Sequence, residues 1–265
     1  MPLTVAALNT HPKEASARLL WLVVRESFAK GAAACRPYVA RRGLSDVFVD
    51  PALEKLHALN GRVSFGWRLR GLGFLGDRVE ALDFGDRQIA VAEGESLVMA
   101  LPPGVAAELL PGLEAPQDYR PIVNAHIRLP EGLRPQRRLD PDLPILGLVG
   151  GAADWLFLRD DVVSLTVSAA EALSERSSDE IAGLMWRDTA KALGLQAAAK
   201  PLIRIIKEKL ATLAQTPAAL RLRPGPATRW RNLALAGDWT DTGYPATIEA
   251  AVRSGWAAAT SLTQG

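Results

Sequence analysis

The stretch with the clearest chemical potential is LALAGDWTDTGYPATIEAAVRSG, residues 233 to 255. An apolar strand, Leu233 to Ala236, ends on Gly237 and Asp238, crosses a polar turn and enters a helix at Pro245. In open α/β sheets ligands sit outside the carboxyl ends of the strands, and a glycine there lets a ligand approach the backbone closely. Asp238 offers a carboxylate to ribityl or ribose hydroxyls. With Pro245 in the first helical turn, the amides of Ala246, Thr247 and Ile248 would lack intrahelical partners and would favour negative charge, such as that gained by a reduced isoalloxazine ring. The same spacing also describes an ordinary strand, turn and capped helix in which Ala250, Ala251, Ala257 and Ala258 pack closely, so spacing alone leaves the ligand open.

Other residue types offer less. His11, His57 and His126 are far apart and show no metal-ligand spacing, so no metal site is expected. Cys35 has no adjacent base and reads as a packed small residue. Arg36, Arg41 and Arg42 form a basic knot that suits a solvated turn. GLGFLG, residues 71 to 76, fits G-x-G-x-x-G, but it lies between two strand-like runs with no helix behind it. It reads as a hairpin turn and not as a dinucleotide fingerprint.

The elements that must position these groups follow from periodicity. Residues 12 to 34 read as a helix, apolar on all sides from Leu19 to Val24 and so expected to be buried. GRVSFGWRLR, residues 61 to 70, alternates as a half-buried strand with Val63, Phe65, Trp67 and Leu69 on one face. Two short strands and a third at Leu97 to Leu101 follow, then a short helix at 104 to 110. In RPIVNAHIRL, Val123, Ala125, Ile127 and Leu129 alternate with Asn124, His126 and Arg128. Residues 130 to 144, with four prolines and Arg134, Arg137 and Arg138, read as an exposed loop. Strands resume at Ile145 to Val149, Trp155 to Leu158 and Val162 to Ser168. Ser177 and Glu180 have capping-box spacing before a helix whose inner face carries Ile181, Leu184 and Met185.

Composition narrows the classes. The chain has 265 residues, 48% hydrophobic, enough for one large domain or two modest ones. Its formal charge of +2 gives no field to attract nucleic acid. The single cysteine fits a reducing compartment, with cytoplasm the default, and no apolar run approaches the roughly 20 residues that span a bilayer.

The terminal motif resembles the carboxyl-terminal flavin-binding signature of the flavin-containing amine oxidase and phytoene desaturase superfamily, and its GDWTDTG-PATIE wording is most similar to the squalene-associated branch of bacterial hopanoid synthesis. PLTVAALNT (2–10), RESFAKGAAACRP (25–37), RRGLSDVFVDPALEKL (41–56), PIVNAHIRL (121–129) and DWLFLRDDVVSLTVSAAEAL (154–173) also look like segments of that branch, in that order. The resemblance implies a mixed α/β (α+β) fold: an incomplete Rossmann-like FAD-binding domain beside a substrate domain of mixed sheet and helices. The implied divisions are substrate domain at 1–55, FAD-binding strands at 56–103, substrate domain again at 104–222, and FAD-binding strand and helix at 223–265.

It further implies FAD as cofactor, touched by Val63 at the adenine, Gly237 and Asp238 at the ribityl-diphosphate, and Thr247 and Ile248 at the ring. The implied substrate is a long apolar isoprenoid, hydroxysqualene, whose hydroxyl is removed reductively to give squalene. Asn9 and Thr10 would lie near the hydroxyl, and Trp155 and Phe157 would pack in a strand or line an apolar tunnel. No general acid is identified. Oxidative desaturation or amine oxidation is the alternative chemistry, and a noncatalytic half of a two-chain flavoprotein is the alternative class. The Gly-rich βαβ unit of such enzymes is not found in this sequence, so an amino-terminal FAD-binding chain or segment is an expected partner, and transient contact with the inner-membrane surface is expected of a protein handling a C30 hydrocarbon.

Overall fold

The computed structural model describes residues 2–40, 43–133, 135, 139–140, 143–195 and 199–263. Arg41, Arg42, Arg134, Arg137, Arg138 and Pro141 lie outside the described residues. In chain order the helices are α1 (Pro2–Leu8), α2 (Ala17–Glu26), α3 (Asp50–Ala58), α4 (Pro103–Leu109), α5 (Glu171–Ser174), α6 (Ser178–Leu193), α7 (Pro217–Arg221) and α8 (Ile248–Thr263). The strands are β1 (Gly71–Leu75), β2 (Arg78–Asp83), β3 (Gln88–Ala90), β4 (Leu97–Met99), β5 (Tyr119–Arg128), β6 (Ile145–Gly147), β7 (Trp155–Arg159), β8 (Val162–Val167), β9 (Ile203–Leu213) and β10 (Leu233–Leu235). This is the mixed α/β composition anticipated.

Two compact units result. The first comprises Met1–Ala29, Pro116–Arg223 and Gly243–Thr247; the second comprises Lys30–Ala115, Pro224–Thr242 and Ile248–Gly265. Compared with the expected divisions, residues 30–55 and 104–115 join the second unit, and 223 and 243–247 join the first.

The first unit is built on an antiparallel sheet in the order β6-β7-β8-β5-β9. Strict alternation in β5 and β8 puts Val123, Ala125, Ile127, Val163 and Leu165 on one face, all fully buried with Ile181, Met185 and Leu193 of α6. Burying a side chain of this size is worth about 1.5–3 kcal/mol, which is why helix and sheet face each other here. The start of α6 is fixed by a complete capping box: the Ser177 hydroxyl accepts from the Glu180 amide, and the Glu180 carboxylate accepts from the Ser177 amide. Gly194, at φ +66°, closes it. Asp188 of α6 accepts from the amides of Ala152 (2.6 Å) and Ala153 (2.8 Å), pinning the β6–β7 turn.

In the second unit β1, β2 and β3 form an antiparallel meander, and β4 pairs in parallel with β10. GLGFLG is confirmed as strand and turn: β1 pairs with β2 around Gly76, at φ +58°. The Asn232 side chain bonds both the amide and the carbonyl of Val79 at 2.9 Å, tying β2 to the approach to β10. Ala258 of α8 packs on Ala234 and Ala236.

Several expectations are corrected. The helix anticipated over 12–34 is only Ala17–Glu26: the Ser27 hydroxyl turns back onto the Val23 carbonyl at 2.6 Å, and Gly31 at φ +86° ends any continuation. Of α2 only Leu19 is buried, and Trp21 is 60% exposed, so an all-round apolar pattern did not mean all-round burial. The anticipated strand at 61–70 has no ladder partner among the described residues. Gly66 at φ +76° interrupts its alternation, Phe65 is 79% exposed, and the ladder begins at Gly71. Cys35 is exposed and not packed.

Candidate functional site

β10 delivers Gly237 and Asp238 to the carboxyl end of the parallel pair, where the sequence places a ligand site. Gly237 has φ +142°, a conformation that side chains rarely adopt. Its neighbour there is internal: a Cβ on Gly237 would meet the Trp239 indole nitrogen at 2.4 Å. Trp239 is buried and donates to the Leu101 carbonyl at 2.9 Å. The Gly237 amide donates to Ser254 Oγ of α8 at 2.8 Å, and its carbonyl accepts from the Thr240 amide and hydroxyl. Gly237 therefore serves the packing of its own loop. Asp238 is half-buried, and Ile248, the first residue of α8, is 49% exposed.

Pro245 lies outside α8, three residues before its start, and so does not form the first helical turn. In the first unit the Ala246 amide donates to Gln215 Oε1 at 3.3 Å, so it does not await an anion, and the exposed Thr247 donates through its hydroxyl to the Pro245 carbonyl. Val63 is half-buried in the extended segment before β1.

Asn9 and Thr10 have structural work. Asn9, at φ +45° and 6% exposed, donates from Nδ2 to the Arg120 carbonyl (3.1 Å) and Thr212 Oγ1 (2.8 Å), while its Oδ1 accepts from the Ala169 amide (2.6 Å). Thr10, fully buried, donates to the Leu8 carbonyl and accepts from the Gln215 amide. These bonds fasten the end of α1 to the sheet, and the polar atoms sought for a substrate hydroxyl are already committed.

Trp155 stands elsewhere. Its register partner on β6 is Gly147, and with Val5 of α1, Leu148 and Ala153 it lines a cavity of about 350 Å³ within the first unit. Across the strands Trp155 aligns with Thr166 and Asn124, and Phe157 aligns with Ser164 and His126. Both aromatics lie on the opposite side of β7 from Leu156, which is in the α6-facing core. Asn124, His126, Ser164 and Thr166 carry the polar half of the alternation. The sequence showed that alternation in each strand, but only the register brings the four together. Among the described residues no cluster of His, Cys, Asp and Glu could hold a metal ion.

The chain pairs two parallel strands ending on Gly-Asp with a helix packed on them, joined in sequence to an antiparallel sheet backed by a helix, and it belongs to the family of flavin-containing amine oxidoreductases, whose model matches residues 1–263. Within it, the chain is 47% identical to the hydroxysqualene dehydroxylase of Rhodopseudomonas palustris over 96% of its length and 44% identical to that of Sinorhizobium fredii, again over 96%. It spans 59% of each of these relatives. A putrescine oxidase variant redesigned in cofactor binding shares the fold at a TM-score of 0.57 and 15% identity, covering 85% of this chain and 54% of that one.

The cofactor of this family is a flavin, FAD. Of the residues present, Asp238 fits part of it, half-buried three positions past the end of β10.

Proposed function

We propose that this chain is the substrate-domain and carboxyl-terminal part of an FAD-dependent oxidoreductase that removes the hydroxyl of hydroxysqualene reductively to give squalene. The observation that carries this reading is the alignment of 96% of the chain, at 47% identity, with a protein of that name. Asp238 would hold the ribityl-diphosphate end, with Gly237 shaping the loop beneath it; Thr247 and Ile248 would stand at the ring, and Val63 at the adenine. FAD supplies the hydride when bound and reduced. The chain's own residues orient the isoprenoid and exclude water from it, with Trp155 in an apolar wall where burial at about 25 cal/mol per Å² gives most of the affinity.

The other half of the dinucleotide site would come from an amino-terminal βαβ segment, in the same polypeptide or as a companion chain. What supports this is β4. Its Leu97 amide and Met99 carbonyl bond toward β10, so by alternation the Val98 amide and carbonyl face the other edge, where they have no partner among the described residues. A parallel sheet of two strands is a minimal one, and such sheets are ordinarily buried within larger ones. Contact with a membrane surface is supported by exposed Leu44, Val47 and Phe48; no helix among the described residues is long and apolar enough to cross a membrane.

The test is to combine the chain with such a segment from a relative, reduce the flavin and follow hydroxysqualene. Squalene should accumulate with flavin oxidation in a one-to-one ratio. FAD retention without conversion of this substrate would sink the reading.

A further inference from the structure

The five-stranded sheet of the first unit has two unlike faces, and the one turned away from α6 carries a cluster with no structural task yet described. Thr166 Oγ1 donates to Asn124 Oδ1 at 2.8 Å, and His126 Nδ1 lies 2.9 Å from Ser164 Oγ. Each β5 side chain is thus steadied by a hydroxyl from β8 directly opposite it. The remaining nitrogens, Asn124 Nδ2 and His126 Nε2, have no hydrogen-bond partner among the described residues. Asn124 and His126 are two positions apart on one strand, so their backbones are about 7 Å apart and their side chains share a face. On the far side of β8, Trp155 and Phe157 continue the same two rows, and all six residues are half-buried.

Two uncommitted nitrogens, with Trp155 and Phe157 beyond β8 on one side and Ile206 and the exposed Arg204 opposite them on β9, make a surface for an apolar molecule with a single polar handle. A plain hydrocarbon would leave both nitrogens dry and unpaired. We propose that this face holds the reacting end of the hydroxylated isoprenoid: Asn124 Nδ2 donates to the hydroxyl oxygen, and His126 is the catalytic acid that lets it leave as water. This inference rests on the reaction proposed above.

The carbon–oxygen bond breaks with its electron pair going to oxygen. A hydride, with its electron pair, comes from an anionic reduced flavin and forms the new carbon–hydrogen bond. The oxygen takes the Nε2 proton of the cationic imidazole and departs as water. His126 is left neutral, its Nδ1–H donating to Ser164 Oγ, so the hydroxyl that positions the ring also fixes the tautomer produced.

The test compares retention of radiolabelled hydroxysqualene and squalene, in detergent micelles, by the purified 265-residue chain. Wild type should prefer the alcohol by about tenfold, the yield of one or two hydrogen bonds. Asn124→Leu and His126→Leu should each erase most of that preference, by weakening retention of the alcohol and not that of squalene, which should hold or rise, and Trp155→Ala should weaken both ligands. Asn124→Ser replaces any leucine variant that fails to melt cooperatively. His126→Gln separates binding from proton delivery: an amide donates a hydrogen bond but no proton, so the preference should persist while turnover in the chain combined with the amino-terminal segment and reduced FAD falls by at least 100-fold, about the lower bound for general acid catalysis. An undiminished preference in the leucine variants, or undiminished turnover in His126→Gln, overturns this inference and leaves the proposed reaction standing. Retention of neither isoprenoid by wild type overturns the proposed reaction and this inference together.

Discussion

The indole of Trp239 fills the space in which a side chain on Gly237 would begin, with Nε1 only 2.4 Å from the Cβ position. This explains why glycine closes β10 without invoking any ligand. Gly237→Ala should therefore destabilise the chain by about 2–4 kcal/mol, from the backbone strain at φ +142° and the clash with a buried ring. Denaturant unfolding of Gly237→Ala, Trp239→Ala and the double variant checks this: the two losses should fall short of additivity, because the second change removes what the first collides with. Additive losses would mean that the glycine answers to something other than Trp239.

Asn9 supplies a second stability prediction. Asn9→Ala removes three hydrogen bonds and places a less tolerant residue at φ +45°. The expected cost is about 2–4 kcal/mol, and Asn9→Gly, which keeps the conformation but not the bonds, should recover part of it. Isoprenoid retention by folded Asn9→Gly should equal that of wild type. A selective loss of the alcohol would instead restore the substrate role that the sequence suggested.

The capping box before α6 gives a pH dependence. Hydrogen bonds from the Ser177 amide and hydroxyl hold the Glu180 carboxyl below its ordinary range. A carboxylate whose folded value is depressed contributes stability that is full above its unfolded value, about 4.3, and is lost as pH falls through the folded one. Thermal melts from pH 6 down to pH 3 should show this loss in wild type, and Glu180→Gln should flatten it. Ser177→Ala should cost about 1 kcal/mol at neutral pH, the usual value of an N-cap.

Legibility in the sequence followed the locality of the cause. The capping box, the alternation of β5 and β8 and the hairpin at Gly76 depend on residues within a few positions, and each formed where the pattern put it. Residues 61–70 have a strand's alternation but no ladder partner among the described residues, and alternation cannot report whether a neighbour is there to pair. Gly237 was read for its conformation, but its neighbour Trp239 was not legible, because nothing in GDW reveals that the tryptophan two positions on folds back over the glycine. The pairs Asn124–Thr166 and His126–Ser164 needed the β5–β8 register, which joins residues some 40 positions apart.

The open edge of β4 gives the last prediction. Leu97 and Met99 bond toward β10, which leaves the Val98 amide facing outward with its side chain 48% exposed. In the chain alone, the Val98 amide should exchange with deuterium far faster than those of Leu97 and Ala236, which donate to Asn232 and Met99. If an amino-terminal βαβ segment completes the sheet, adding it should slow Val98 exchange by at least about 100-fold, because an amide paired inside a sheet exchanges only when the strand opens. Asp238→Asn in the same complex should weaken FAD retention, since it removes the charge that the proposed site offers at the end of β10. Equal exchange at Val98 with and without the segment would mean that the edge is closed some other way, and the two-part FAD site would then lose its structural support.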